Sequence, residues 1–183
     1  MIVLQTLFTV YRGAKMSKDI KHFIIGLVIY ISVLLIIFKG FFFNMYVPSN
    51  SMYPTFAQKS LLLGNKFAYI LEEVQRFDIV AFHFPDDETK TYIKRIIGLP
   101  GEKLEIIDGI VVINDKELNE PFIKTVIKDN YGPIYIPKDC YFVLGDNRAD
   151  SYDSRYWINT YIHKNQIIAK ALLVYYPSIY KIQ

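Results

Sequence analysis

Residues 78–115 read DIVAFHFPDDETKTYIKRIIGLPGEKLEIIDGIVVIND. Short runs of β-branched and aromatic residues alternate here with turn formers. Asp78 to Phe84 is closed by Pro85-Asp86-Asp87, and Thr91 to Ile97 by Gly98-Leu99-Pro100-Gly101. Lys103 to Ile107 and Ile110 to Ile113 flank Asp108-Gly109, the pair that a tight hairpin turn requires. The same pattern continues outward. Ser60 to Leu63 precedes Gly64-Asn65, Tyr135-Ile136 follows the hairpin, and Tyr141 to Leu144 stops at Gly145-Asp146-Asn147. A late apolar run extends from Gln166 to Tyr176. Many short strands at close spacing predict an all-β barrel or sandwich. A helical tail over Tyr161 to Ala171 is the alternative to strand at that end.

Composition agrees with strand. Of 183 residues 52% are apolar, with 15 Tyr and 13 Phe. The net charge is only +3 and the basic residues form no block beyond the N-terminus, so nothing points to nucleic acid as a partner. A single cysteine, Cys140, excludes an internal disulfide and reads as a small residue at a strand start.

Ahead of the β region lies FIIGLVIYISVLLIIF, Phe23 to Phe38, with no charged residue. A span of about 20 residues crosses a hydrocarbon core. Phe23 to Phe43 reaches that length with Lys39 snorkelling to the headgroups. Arg12, Lys15, Lys18 and Lys21 precede the span against Asp19 alone, whereas only Lys39 and Lys59 lie close beyond it. That excess puts the N-terminus in the cytoplasm and the β domain outside. Residues 39–50 contain no alanine for a cleavage site, so the segment reads as an uncleaved signal anchor. Residues 1–15 are apolar but too short to span, and Met16 opens an ordinary start, MSKDIKHF. Translation is expected to begin at Met16.

Ser51 stands just after the anchor, and Lys94 follows in the strand-like Thr91 to Ile97. A serine hydroxyl needs a base to become a nucleophile. His22 precedes the span, and His83 points opposite Val80, Phe82 and Phe84 in strand alternation. Cys-x-x-Cys, HExxH and G-x-S-x-G patterns do not occur. Lysine is left as the base. On a strand, Tyr92, Lys94 and Ile96 share a face, and apolar flanks disfavour the charged amine. Two readings of Lys94 stay open on these grounds: a neutral catalytic base, or an ordinary surface lysine. Arg95 faces the other way and is expected to be the exposed charge. Residues 145–157, GDNRADSYDSRYW, gather acids, arginines and serines in a turn-rich stretch suited to a hydrogen-bonded scaffold with Asp–Arg pairs.

Together these segments resemble the bacterial type I signal peptidases, the leader peptidase family of Ser-Lys endopeptidases. Blocks appear in family order: PSNSMYPT (48–55), RFDIVAF (76–82), YIKRIIGLPGE (92–102) and GDNRADSYDSRYW (145–157). The resemblance implies Ser51 as nucleophile and Lys94 as general base. It implies an oxyanion hole from Ser49 and Ser51, and Ser151 as the serine that positions the lysine. Asp153 and Arg155 match the family's structural salt bridge, and Tyr92 is a supporting residue beside the base. Phe77 stands where the family has Gly, Asn50 where many members have Gly or Ser, and Ile158 where Gly is common; Phe77 and Ile158 bear on local turn geometry.

The expected architecture is mostly β: a single N-terminal transmembrane helix followed by a signal-peptidase-type β-barrel or sandwich catalytic domain. Residues 1–22 form a cytoplasmic segment, 23–43 the transmembrane signal anchor and 44–183 the extracytoplasmic catalytic domain. The resemblance implies a membrane-bound serine endopeptidase that removes signal peptides from exported preproteins and prefers small residues at positions −1 and −3 of the substrate. Its partners are signal peptides and the lipid bilayer, with no metal or cofactor; the sequence does not determine the oligomeric state. Two other functions compete. A specialised peptidase of the same fold would process one cognate substrate, which cleavage of several unrelated preproteins excludes. A non-catalytic membrane-anchored peptide-binding β domain would have no use for a buried lysine.

Overall fold

The computed structural model describes residues 17–125 and 127–182. The expected start at Met16 lies outside the described residues. The chain divides into two compact units, with the boundary between Gly40 and Phe41.

The described residues of the first unit lie almost wholly in one helix, α1 (Lys18–Phe41), of 24 residues, the last of which falls in the second unit. At 1.5 Å per residue it is about 36 Å long, more than the ~30 Å of a hydrocarbon core. None of its residues is buried, although it is apolar all round, and it is long and apolar enough to cross a membrane. Asp19 in its first turn and Lys39 in its last complement the helix dipole. The helix stops short of the expected span. Phe42 and Phe43 belong instead to a strand, β1 (Phe42–Tyr46), paired antiparallel with β2 (Leu61–Asn65).

The second unit is built of antiparallel strands. The larger sheet runs β1-β2-β11-β3-β4-β9-β10, with β3 (Ile79–Phe84), β4 (Asp87–Gly98), β9 (Cys140–Leu144), β10 (Ile162–His163) and β11 (Ile167–Tyr176); β12 (Tyr180–Lys181) adds to β11. The smaller sheet has the order β7-β6-β5-β8, with β5 (Lys103–Ile107), β6 (Ile110–Ile113), β7 (Lys116–Glu117) and β8 (Tyr131–Tyr135). Local chemistry sets the β5–β6 hairpin: Asp108 (φ 49°) and Gly109 (φ 84°) are both left-handed, as a type I′ turn demands. Asn114 (φ 50°) and Asp115 (φ 66°) repeat the geometry between β6 and β7.

One alternative and one expectation fail for non-local reasons. Residues 161–171 form no α-helix, only a single 3-10 turn at Lys164–Gln166. Ile167–Tyr176 is a central strand between β2 and β3, because its β-branched and aromatic side chains gain more from cross-strand packing than from a local helix. Arg95 is not exposed. It is 2% accessible and the bulkiest of the fully buried side chains. Simple alternation misjudges it because both faces of β4 are covered: Ile96 packs with Val80, Phe82 and Trp157, while Ile97 packs with Leu104, Phe142 and Leu144.

Candidate active site

Ser51 lies in a turn between β1 and β2. The turn is closed by the Tyr53 N–H donating to the Asn50 carbonyl (2.9 Å) and the Phe56 N–H donating to that of Met52 (3.2 Å). Met52 and Phe56, each 1% exposed, nail the turn into the core beside Met45 and Leu62. The Ser51 carbonyl accepts a hydrogen bond from the Asn147 N–H at 3.0 Å, which ties the turn to the loop after β9.

Lys94 enters from β4, opposite Val80 in the β3–β4 register. Its Nζ lies 2.6 Å from Ser51 Oγ, across 43 positions of sequence. Both side chains are buried. Burial pushes the Lys94 ammonium down to about pKa 8 from its ordinary value of 10.5, and Arg155 pushes the same way; Asp153, Asp146 and Asp150 oppose. Desolvation wins because none of these carboxylates forms an ion pair with Lys94. A cavity of about 500 Å³ opens over the pair, walled by Phe43, Met45, Val47, Met52, Tyr92 and Tyr152 and edged by Ser49 and Asp150.

The other expected residues gather with varying closeness. Ser49 Oγ donates to Ser51 Oγ at 3.3 Å. Asp153 and Arg155 form a two-pronged pair, Nε to Oδ1 at 2.8 Å and Nη2 to Oδ2 at 3.0 Å. Asp153 Oδ2 also accepts from the Gly145 N–H at 3.1 Å, so the pair fixes the start of the 145–157 loop. Tyr92 stacks on Phe84 (centroids 4.5 Å apart) in an aromatic cluster with Trp157 and borders the cavity without bonding to Ser51 or Lys94. Ser151 is buried, but its hydroxyl has no hydrogen-bond partner and does not reach Lys94. It lies against Gly145, where an added Cβ would come within 2.2 Å of Ser151 Oγ and 2.5 Å of the Ser51 carbonyl oxygen. Only glycine allows the loop to close so tightly on the Ser51 turn. His83 is exposed, its Nδ1 3.0 Å from the Glu88 carbonyl oxygen.

Sequence reasoning missed a buried cluster on the opposite face of β4. Arg95 grips Asp146 with Nε (2.8 Å) and Nη2 (2.7 Å), and Thr55 donates to the same carboxylate. Asp146 stood in a block already marked by its acids and arginines, but nothing in the sequence names its partner 51 positions away. Phe77 explains part of this arrangement. It is left-handed (φ 74°), a conformation that favours glycine, and its carbonyl accepts from Arg95 Nη1 at 2.9 Å. Ile158, by contrast, is 90% exposed and its N–H donates to Asp86 at 2.9 Å, without strain.

The family model of "Signal peptidase, peptidase S26" matches residues 20–176. The chain belongs to this family. The chain is 39% identical over 138 residues to a probable signal peptidase I-2 of Synechocystis, an alignment that takes in 72% of this chain and 62% of the relative. It is 34% identical over 150 residues to signal peptidase I of Bacillus caldolyticus (74% and 80%) and 41% identical over 130 residues to signal peptidase I V of Bacillus subtilis (63% and 76%). The chain thus spans less than two thirds of the length of the first of these and more of the other two. A crystal structure of a signal peptidase I from Enterococcus faecalis is 31% identical with a TM-score of 0.47, covering 54% of this chain and 97% of that one. The mostly β chain described above carries one N-terminal helix long and apolar enough to cross a membrane.

Proposed function

We propose that this chain removes signal peptides from exported preproteins, with Ser51 as nucleophile and Lys94 as general base. The observation that carries the reading is the 2.6 Å approach of a buried lysine amine to a serine hydroxyl at the floor of an apolar cavity. Neutral Lys94 takes the proton from Ser51 Oγ as the oxygen attacks the substrate carbonyl carbon. The Ser49 hydroxyl and the Ser51 N–H stabilise the oxyanion, a contribution of about 3 kcal/mol per donor in such sites. The protonated Lys94 then gives its proton to the leaving amine and, neutral again, activates the water that releases the acyl group. Asp153 and Arg155 act in support by holding the 145–157 loop against the Ser51 turn, and Ser151 packs against Gly145 beside it.

The peptide has a place to lie. β9 pairs with β4 only over Arg95 to Gly98, so Thr91 to Lys94 present an unpaired strand edge to the cavity. β1 borders the opposite side and is an edge strand of its sheet. An extended substrate adding to such edges places its carbonyl over Ser51. Helix α1 crosses the bilayer with its basic N-terminal flank in the cytoplasm, and the β domain works on the outer side where signal peptides emerge.

The test is cleavage of a preprotein by the full chain in detergent, beside Ser51→Ala and Lys94→Ala. Each substitution is expected to lower kcat about 10³-fold or more while the protein stays folded by circular dichroism. Wild-type turnover in either variant overturns the assignment.

A further inference from the structure

The described residues of the connection between β7 and β8 (118–125 and 127–130) have little regular structure, yet three side chains among them end on three arginines around the site. Glu120 pairs with Arg148, and both side chains are more than nine-tenths buried. Asp129 Oδ2 lies 2.5 Å from Nη1 of Arg155, whose side chain is 2% exposed. The Phe122 ring lies under the Arg95 guanidinium, 3.9 Å from centroid to Cζ, and meets Phe77 edge to face.

Each of these arginines already holds the 145–157 loop. Arg148 Nε donates to the Gly145 carbonyl at 3.2 Å, and Arg155 Nη2 donates to the Arg148 carbonyl at 2.9 Å and to Asp153 at 3.0 Å. Arg95 holds Asp146. The loop in turn holds the nucleophile turn, through the Asn147 N–H on the Ser51 carbonyl and the Asn147 side-chain amide on the Asn50 carbonyl (3.2 Å). A guanidinium buried among several acceptors keeps one geometry only while every acceptor stays in place. Buried ion pairs add little net stability, so their effect here is on geometry.

We infer that Glu120, Phe122 and Asp129 form a brace that fixes the three arginines and, through the 145–147 backbone, the position of Ser51 against Lys94. They are positioning residues, and none of them touches the cavity. The inference rests on the Ser51–Lys94 reading for its effect on turnover but not for its effect on the loop.

The experiment compares the full chain in detergent with Glu120→Gln, Asp129→Asn and Asp129→Glu. Preprotein cleavage is measured together with amide hydrogen exchange. Asp129→Asn is expected to lower kcat about tenfold, with KM within about twofold of wild type. Asp129 is a quarter exposed, so the longer carboxylate of Asp129→Glu has room to reach Arg155 and restores the rate. Exchange at Gly145 and Asn147 quickens in Glu120→Gln and Asp129→Asn, while the β5–β6 hairpin keeps its protection. Should Glu120→Gln fail to fold, Asp129→Asn decides, because Arg155 retains Asp153. Unchanged exchange at Gly145 and Asn147 overturns the brace. So does a wild-type kcat in Asp129→Asn, or a loss of activity that merely follows the unfolded fraction. If the wild type itself cuts no preprotein, the proposed function falls, and the exchange data still decide the brace.

Discussion

Lys94 and Arg95 are neighbours on β4, both almost fully buried, and the protein treats them in opposite ways. Arg95 is matched on every side: a carboxylate by two bonds, the Phe77 carbonyl, the Thr55 hydroxyl and the face of Phe122. Lys94 has a serine hydroxyl and an apolar wall. A buried guanidinium matched by a carboxylate serves as scaffold, whereas a buried amine with no carboxylate paired to it leans towards its neutral form, as the base proposed at Lys94 requires. Alternation along the strand decides which side each residue faces, and the other elements decide what waits there.

Removing the counter-ion on the Arg95 side should produce the largest stability change. Asp146→Ala leaves a guanidinium buried without a carboxylate and is expected to cost about 3–5 kcal/mol in denaturant unfolding of the β domain. A loss below about 1 kcal/mol would mean that the remaining acceptors suffice and that the contrast between the two residues is overdrawn.

On the Lys94 side the expected sign reverses. A fall in pKa from 10.5 to about 8 corresponds to about 3 kcal/mol held against the folded state at neutral pH. Lys94→Met should therefore stabilise the protein by up to that amount at pH 7 while abolishing cleavage. Because the folded pKa lies below the unfolded one, the unfolded chain binds the extra proton between about pH 8 and 10.5. Wild-type stability from this group rises with pH through that window, and the advantage of Met fades over it. Cleavage by the wild type should climb towards a plateau as pH passes about 8, since only the neutral amine can act. A rate that is flat from pH 6 to 9 would count against Lys94 as the base.

The smallest effect is expected at Phe77. Glycine there relieves a left-handed residue by about 1 kcal/mol but gives up the half-buried ring's packing on the core and its edge-to-face contact with Phe122, together about 2–3 kcal/mol. Phe77→Gly should thus cost about 1–2 kcal/mol. A larger loss would show that the ring, more than the turn, holds the Arg95 cluster together.

Some of this was open to reading from one dimension. The β class, the Asp108-Gly109 hairpin and the apolar helix all rest on local patterning and turn chemistry, which a chain carries wherever it folds. The motif blocks brought Ser51, Ser49, Lys94, Asp153 and Arg155 to one neighbourhood before any coordinate did. Three-dimensional packing alone settled the rest. It set the strand at 167–176 between β2 and β3, ended the helix at Phe41 so that Phe42 and Phe43 could pair with β2, and buried Arg95. It also matched Arg95 with Asp146, Arg148 with Glu120 and Arg155 with Asp129, and left the Ser151 hydroxyl without a partner. Burial and ion pairing depend on which distant segment covers a residue, and that is a property of the whole fold rather than of neighbours in the chain.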